Sequence, residues 1–256
     1  MKHLIIPVLI WLVAPLLYAQ DGVLILLKGY LQHTHAGSDQ VYRVGDDSPS
    51  VEVRVFEGDE IQTGENTEVE LKLRQDSEKM TLYANTYLKI SRIDEQETLL
   101  NLWIGKAKFL VESVVDQFSG IMRFKVQTGV AFLGVKGTEF FVETNKTGTS
   151  LLTLSGVVLF ANRTNLEDLV EVTQNHVSKV IQNRPPTPPG KISDARKERI
   201  LNGDSKSWGS AVQETERMDQ GLKDSSQETL EALQEDQTLE LELLKEKQVK
   251  IQVEFQ

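Results

Sequence analysis

The clearest signal in this chain is alternation. Val51, Val53 and Val55 are separated by Glu52 and Arg54, and Val69, Leu71 and Leu73 by Glu70 and Lys72. Period two marks a strand with one buried and one wet face. Val23 to Tyr30 is more continuously apolar. Further strand-like runs follow at Met80–Tyr83, Tyr87–Ile93, Leu99–Ile104, Ala107–Val114, Met122–Gln127, Glu139–Thr144, Leu151–Ser155, Val157–Ala161, Leu169–Thr173 and His176–Ile181. They recur at roughly ten-residue intervals with turn signals between, an all-β rhythm. Residues 33 to 50 are polar and read as turns. No helical periodicity interrupts residues 22 to 182. Such strands suit either a solenoid with stacked rungs or a sandwich or barrel, and periodicity alone does not choose.

The densest patterning lies in Gly129 to Val142. Phe132 and Leu133 precede a Gly134-Val135-Lys136-Gly137 step, and Thr138 leads into a strand. There Phe140 and Val142 share one face and Phe141 takes the other. Glycines spaced this way permit positive φ or close backbone approach, so the stretch predicts a buried hairpin or bulge.

The ends of the chain differ from its middle. Residues 1–19 carry Lys2 and then an apolar run, Leu4 to Leu17, interrupted by Pro7 and Pro15. This is the pattern of a signal peptide, with Ala19 offering a cleavage site and an uncleaved anchor as the alternative. Once cleaved, the chain is expected to keep no stable membrane span. Residues 20–183 form the β domain. Residues 184–191, rich in proline, read as a stiff linker. Residues 192–256 read as an acidic helical tail. A short helix is expected over 194 to 202, and Leu230, Leu233, Leu241 and Leu244 fall on one face of a longer one. That helix is either docked or frayed, or else a coiled-coil segment for self-association or partner binding.

Charge narrows the function classes. The chain has 28 basic and 38 acidic residues, and removal of residues 1–19 takes only Lys2. A nucleic-acid binder would carry a basic field, so no nucleic acid is expected, and anionic membrane surfaces are disfavoured. There is no cysteine. Disulfides, thiolate metal sites and a cysteine-linked lipid are therefore excluded, and stability must come from a hydrophobic core.

Candidate chemistry is thin. His33 and His35 lie two apart, as a metal pair on a strand would, but no acidic ligand is tied to them by spacing, and an exposed loop is the plainer reading. Glu57, Asp59, Glu60, Glu68 and Glu70 are plentiful carboxylates, of which Glu68 and Glu70 form a wet strand face. Asp59 is expected to serve the turn at Gly58. Trp103 and Phe109 read as core. There is no nucleophile elbow, zinc helix or phosphate loop, so no catalytic residue, cofactor or metal is assigned.

An ordered set of short motifs carries a resemblance. Gly58-Asp59-Glu60-Ile61-Gln62-Thr63-Gly64 precedes the Glu68 to Leu73 strand. Phe124-Lys125-Val126-Gln127-Thr128 leads to Gly137-Thr138-Glu139-Phe140, and then to Val157 and Val158 around Gly156. This order resembles the FecR domain, a bacterial envelope module, over roughly residues 22 to 182. Lys136 stands where many members carry arginine. The resemblance implies a β-solenoid-like fold and gives Gly58, Asp59, Thr63, Gly64, Gly134, Gly137, Thr138, Phe140 and Gly156 as its structural signature.

FecR-type regulators receive a signal from an outer-membrane transporter and control a sigma factor through a cytoplasmic segment. Here the β region follows the signal directly, which puts sigma-factor control and a link to iron uptake in doubt. The expectation is a non-enzymatic extracytoplasmic module in the periplasm or cell envelope. It would bind an envelope protein in a signalling or scaffold role. The alternative is a glycan-binding or cell-wall-associated structural protein.

Overall fold

The protein is described from a computed structural model covering residues 22–45, 48–112 and 122–202. The predicted signal peptide and the longer tail helix carrying Leu230 to Leu244 lie outside these residues.

Three long strands organise the chain. The first, β1 (Gly22–His35), is sharply bent at Gly29. Its amino-terminal half pairs with β3 (Val51–Val55) and β5 (Glu68–Leu73). Its carboxyl-terminal half pairs with β2 (Ser38–Val44) and β4 (Glu60–Thr63). The second long strand, β8 (Thr98–Val111), bends at Gly105. One half pairs with β7 (Tyr87–Ile93) and β9 (Phe124–Gln127). The other half pairs with β6 (Glu78–Leu82) and β11 (Thr138–Thr144). The third is β12 (Gly148–Ser155) running through Gly156 into β13 (Val157–Asn162).

The pairings close two rings. β1, β5, β6, β8, β7 and β4 return to β1, and β8, β11 and β12, then β12's continuation through Gly156 as β13, then β10 (Ala131–Val135) and β9, return to β8. The fold is thus a pair of β-barrels fused along β8. β14 (Asn165–Thr173) and β15 (His176–Ile181) extend from β13 and β12. Among the described residues only the β8–β9 pairing is parallel. A solenoid stacks its rungs in parallel, so this antiparallel meander is a barrel and not the solenoid expected.

The core lies inside the rings. Leu24, Leu26, Leu71, Leu100, Phe109, Phe124, Phe140 and Phe160 are essentially solvent-free and belong to one cluster. Each such side chain contributes about 1.5–3 kcal/mol by burial. Phe141, on the opposite face of β11, joins a second cluster with Leu152, Val177, Ile192 and Ile200. That cluster seats the helix α1 (Asp194–Leu201) on the sheet.

Three local expectations change. β10 and β11 do not form a hairpin: β10 pairs with β9 and β13, while β11 pairs with β8 and β12. The Gly134–Gly137 step carries the chain from one sheet to the other. Residues 33 to 44 are largely strand, because β1 continues to His35 and β2 pairs back along it. The proline-rich stretch is fastened: the Lys179 amide donates to Thr187 Oγ1 at 2.9 Å, Pro186 is buried, and β16 (Gly190–Lys191) pairs with β15.

Candidate functional site

Each long strand bends by the same device. A bulge skips Leu27 on β1, Trp103 on β8 and Leu154 on β12. Two residues later comes a glycine with positive φ: Gly29 at +85°, Gly105 at +108° and Gly156 at +81°. Against each glycine lies a threonine: Thr67, Thr86 and Thr138 respectively. Before each threonine stands a left-handed residue: Asn66 (+52°), Asn85 (+56°) and Gly137 (+63°). The threonine hydroxyl takes up backbone groups freed at the bend, as buried polar groups require. The Tyr30 amide donates to Thr67 Oγ1 at 3.1 Å, the Lys106 amide to Thr86 Oγ1 at 3.0 Å, and Thr138 Oγ1 donates to the Val157 carbonyl at 3.1 Å.

The bulge moves the buried phase from even to odd positions, from Leu24 and Leu26 to Leu31 and His33, and from Leu100 and Leu102 to Ala107 and Phe109. It also turns Trp103 outward, where it is 42% exposed and not core. Gly137, Thr138 and Gly156 of the sequence signature therefore meet at one bend. Thr63 and Gly64 join the other two. The Thr86 amide donates to Thr63 Oγ1 at 2.8 Å, the Gly64 amide donates to the Tyr30 carbonyl at 2.9 Å, and a Cβ at Gly64 would strike the Tyr30 ring. Gly134 leaves room for Met122, whose sulfur lies 2.5 Å from where a Cβ would stand. Phe140 stacks on Phe109 with centroids 4.7 Å apart.

The repeat gives a graded prediction. Asparagine already fills the Gly137 position in two of the three bends. Gly137→Asn should cost no more than about 1 kcal/mol, whereas Gly137→Val, β-branched and left-handed, should cost about 2–3 kcal/mol. Urea titration of the two variants checks this, and equal losses would contradict it.

A second cluster was hidden by sequence distance. Asp59 is buried and accepts from His33 Nε2 at 2.7 Å, His35 Nδ1 at 2.6 Å and the Phe56 amide at 3.0 Å. His33 is 4% exposed, so the exposed-loop reading fails for it, and an acidic partner does exist. Asp59 does cap its own turn as expected, since Gly58 is left-handed at +92°. Among the described residues, no group of three or more such side chains is placed to hold a metal. Nor do the carboxylates converge: Glu68 faces Lys28 at 3.9 Å, and Glu57 receives the Ile93 amide at 3.0 Å.

Glu78 is a different buried acid. It sits at the end of the first ring, 3.2 Å from Arg74 and accepting from Thr98 Oγ1 at 3.0 Å, while its Oε2 finds no partner among the described residues. Burial pushes its carboxyl up to about 7, against the Thr98 hydrogen bond and Arg74, which pull it down. The folded chain then holds a proton that the unfolded chain, titrating at 4.5, has lost. Stability from this group is present below pH 4.5 and falls as pH rises towards about 7. Glu78→Gln should flatten that difference and be more stable than the parent at alkaline pH by about 1–3 kcal/mol. Unfolding across the pH range reads it, and parallel profiles for the two chains would contradict it.

A cleft of about 650 Å³ lies beside the first two bends. Its floor is Tyr83, Phe141 and Ile104, and one wall is the end of α1, Ile200 to Asn202. Lys28–Glu68 at 3.9 Å and Lys106–Glu143 at 3.7 Å frame it. Burial raises the Glu143 carboxyl, opposed by Lys106, and raises the Tyr83 hydroxyl, helped by Glu68. The exposed Lys28–Glu68 pair contributes little stability, whereas the Lys106–Glu143 pair is about three-quarters buried. An apolar floor between mixed charges suits a side chain or short peptide.

The FecR protein family model matches residues 59–159, from the Asp59 turn to β13. The chain contains a FecR domain. The match takes in the shared strand β8 and the bends at Gly105 and Gly156. Two crystal structures of a candidate anti-sigma factor from Parabacteroides distasonis are similar to part of this chain. Both are 17% identical over 56% of this chain, with TM-scores of 0.46 and 0.45. The chain spans 64% and 65% of their lengths. No curated protein matches.

Proposed function

We propose that this chain is a non-enzymatic, exported interaction module of the bacterial cell envelope that binds an envelope protein in a signalling or scaffold role. The FecR match over residues 59–159 carries this reading. The acidic balance supports it by disfavouring nucleic acid. The cleft beside the Gly29 and Gly105 bends is the surface best suited to recognition, since its apolar floor can anchor a side chain and its charged frame can set orientation.

The test is capture from envelope extract with three baits: the full chain, residues 22–202, and the full chain with Lys106→Glu. One stoichiometric protein held by the first two and weakened by the third supports the proposal. Retention on peptidoglycan with no protein captured would replace it with the cell-wall reading. A protein captured by the full chain alone would move recognition to residues 203–256.

A further inference from the structure

We propose that Trp208 of the same chain seats in the cleft formed by Tyr83, Ile104, Phe141 and the end of α1. The inference concerns the same cleft as the reading above but needs no partner: a partner docking there would have to displace the indole, and the test below reads the indole alone.

The cleft is built by elements far apart in sequence, yet one wall is where the described chain ends. Leu201 and Asn202 both line it. The sequence continues Gly203-Asp204-Ser205-Lys206-Ser207-Trp208-Gly209-Ser210. Trp208 is the sixth residue after Asn202, a reach of up to about 20 Å. Glycines at 203 and 209 allow the chain to reverse on either side of the indole. Every residue from 203 to 210 other than Trp208 is small, polar or charged. An indole in such a stretch favours an apolar surface within that reach.

The cleft suits an indole in chemistry and has room to take it. Its volume of about 650 Å³ exceeds what one side chain requires, and Tyr83 and Phe141 already meet with ring centroids 5.7 Å apart. Ile104 is 42% exposed, although it stands beside the closed core of β8. Glu68 and Glu143 can accept from the indole N–H, and Lys28 and Lys106 can face its ring. A tether this short holds Trp208 at millimolar effective concentration, on the order of what a weak contact needs to stay occupied. A second copy of the chain would have to supply that concentration from solution.

The absence of cysteine makes the test direct. Lys28, with its side chain 57% exposed, is replaced by cysteine in the full chain and labelled with bimane, a fluorophore that tryptophan quenches on contact. The labelled chain is compared with the same chain carrying Trp208→Phe. Trp11 and Trp103 are present in both arms and cancel. Emission about two-fold lower with Trp208 present, unchanged on dilution and relieved by Ile104→Glu, is the expected result. Equal emission in the two chains would overturn the proposal. Quenching that disappears on dilution would overturn it too, by placing a second copy in the cleft, as would quenching indifferent to Ile104→Glu.

Discussion

Gly105→Ala is expected to cost about 3–5 kcal/mol of folding stability, the largest single effect of any glycine among the described residues. Two causes add. The backbone at Gly105 has φ of +108°, beyond even the left-handed well that L residues tolerate poorly. A Cβ there would also lie 2.5 Å from Thr86 Cα and 2.8 Å from the Asn85 carbonyl oxygen, both backbone atoms that cannot swing aside. Gly37 separates the causes, because its φ is +78° but a Cβ would meet nothing within 4 Å. Gly37→Ala should therefore cost only about 1–2 kcal/mol. Urea unfolding with unchanged m-value measures both. A Gly105 variant no worse than the Gly37 variant would show that the bend relaxes freely.

Phe140→Ala is expected to cost about 3–5 kcal/mol, as removal of a buried ring usually does. Phe140 is fully buried and lies directly opposite Phe109 in the β8–β11 register, with planes 11° apart. The pair bridges two strands of the second ring, so its loss opens a cavity at the seam between barrels. Phe140→Leu, which keeps most of the volume, should cost about 1–2 kcal/mol. A double-mutant cycle with Phe109→Ala should return a coupling of about 0.5–1.5 kcal/mol. Strict additivity would mean that the rings fill space without recognising one another.

How much of this was legible in the sequence depends on distance along the chain. Val69, Leu71 and Leu73 announced β5, because alternation is a local property of one strand. The Leu99–Ile104 and Ala107–Val114 runs were visible too, but not that they are one strand, since the bulge at Trp103 breaks the phase between them. The same break placed Trp103 in the core by pattern and on the surface in fact. Pairing was invisible for a related reason. Val135 and Thr138 are neighbours in sequence, yet their strands belong to different sheets, and no local pattern distinguishes a hairpin from a crossing.

The candidate sites follow the same rule. Asp59 and His33 are 26 residues apart, so only the fold brings them to 2.7 Å. The repeated bend, by contrast, did leave a trace. Asn66-Thr67, Asn85-Thr86 and Gly137-Thr138 each open a strand, and each has its partner glycine at Gly29, Gly105 or Gly156. Read singly, Gly137-Thr138 was a family signature; read as one of three, it is a hinge the chain uses repeatedly.

The fusion of the two rings along β8 also fixes an order of assembly. A chain made from its amino terminus has every strand of the first ring once residue 111 has emerged, but the second ring cannot close before residue 162. At roughly 5–20 residues per second the interval lasts about three to ten seconds. Until β9 and β11 emerge within it, by residues 127 and 144, the edge of β8 that will take them presents unpaired backbone, the most adhesive surface a sheet can offer. Two nascent copies meeting in that interval can exchange β11 across β8, which makes a strand-swapped dimer the characteristic misassembly of this architecture.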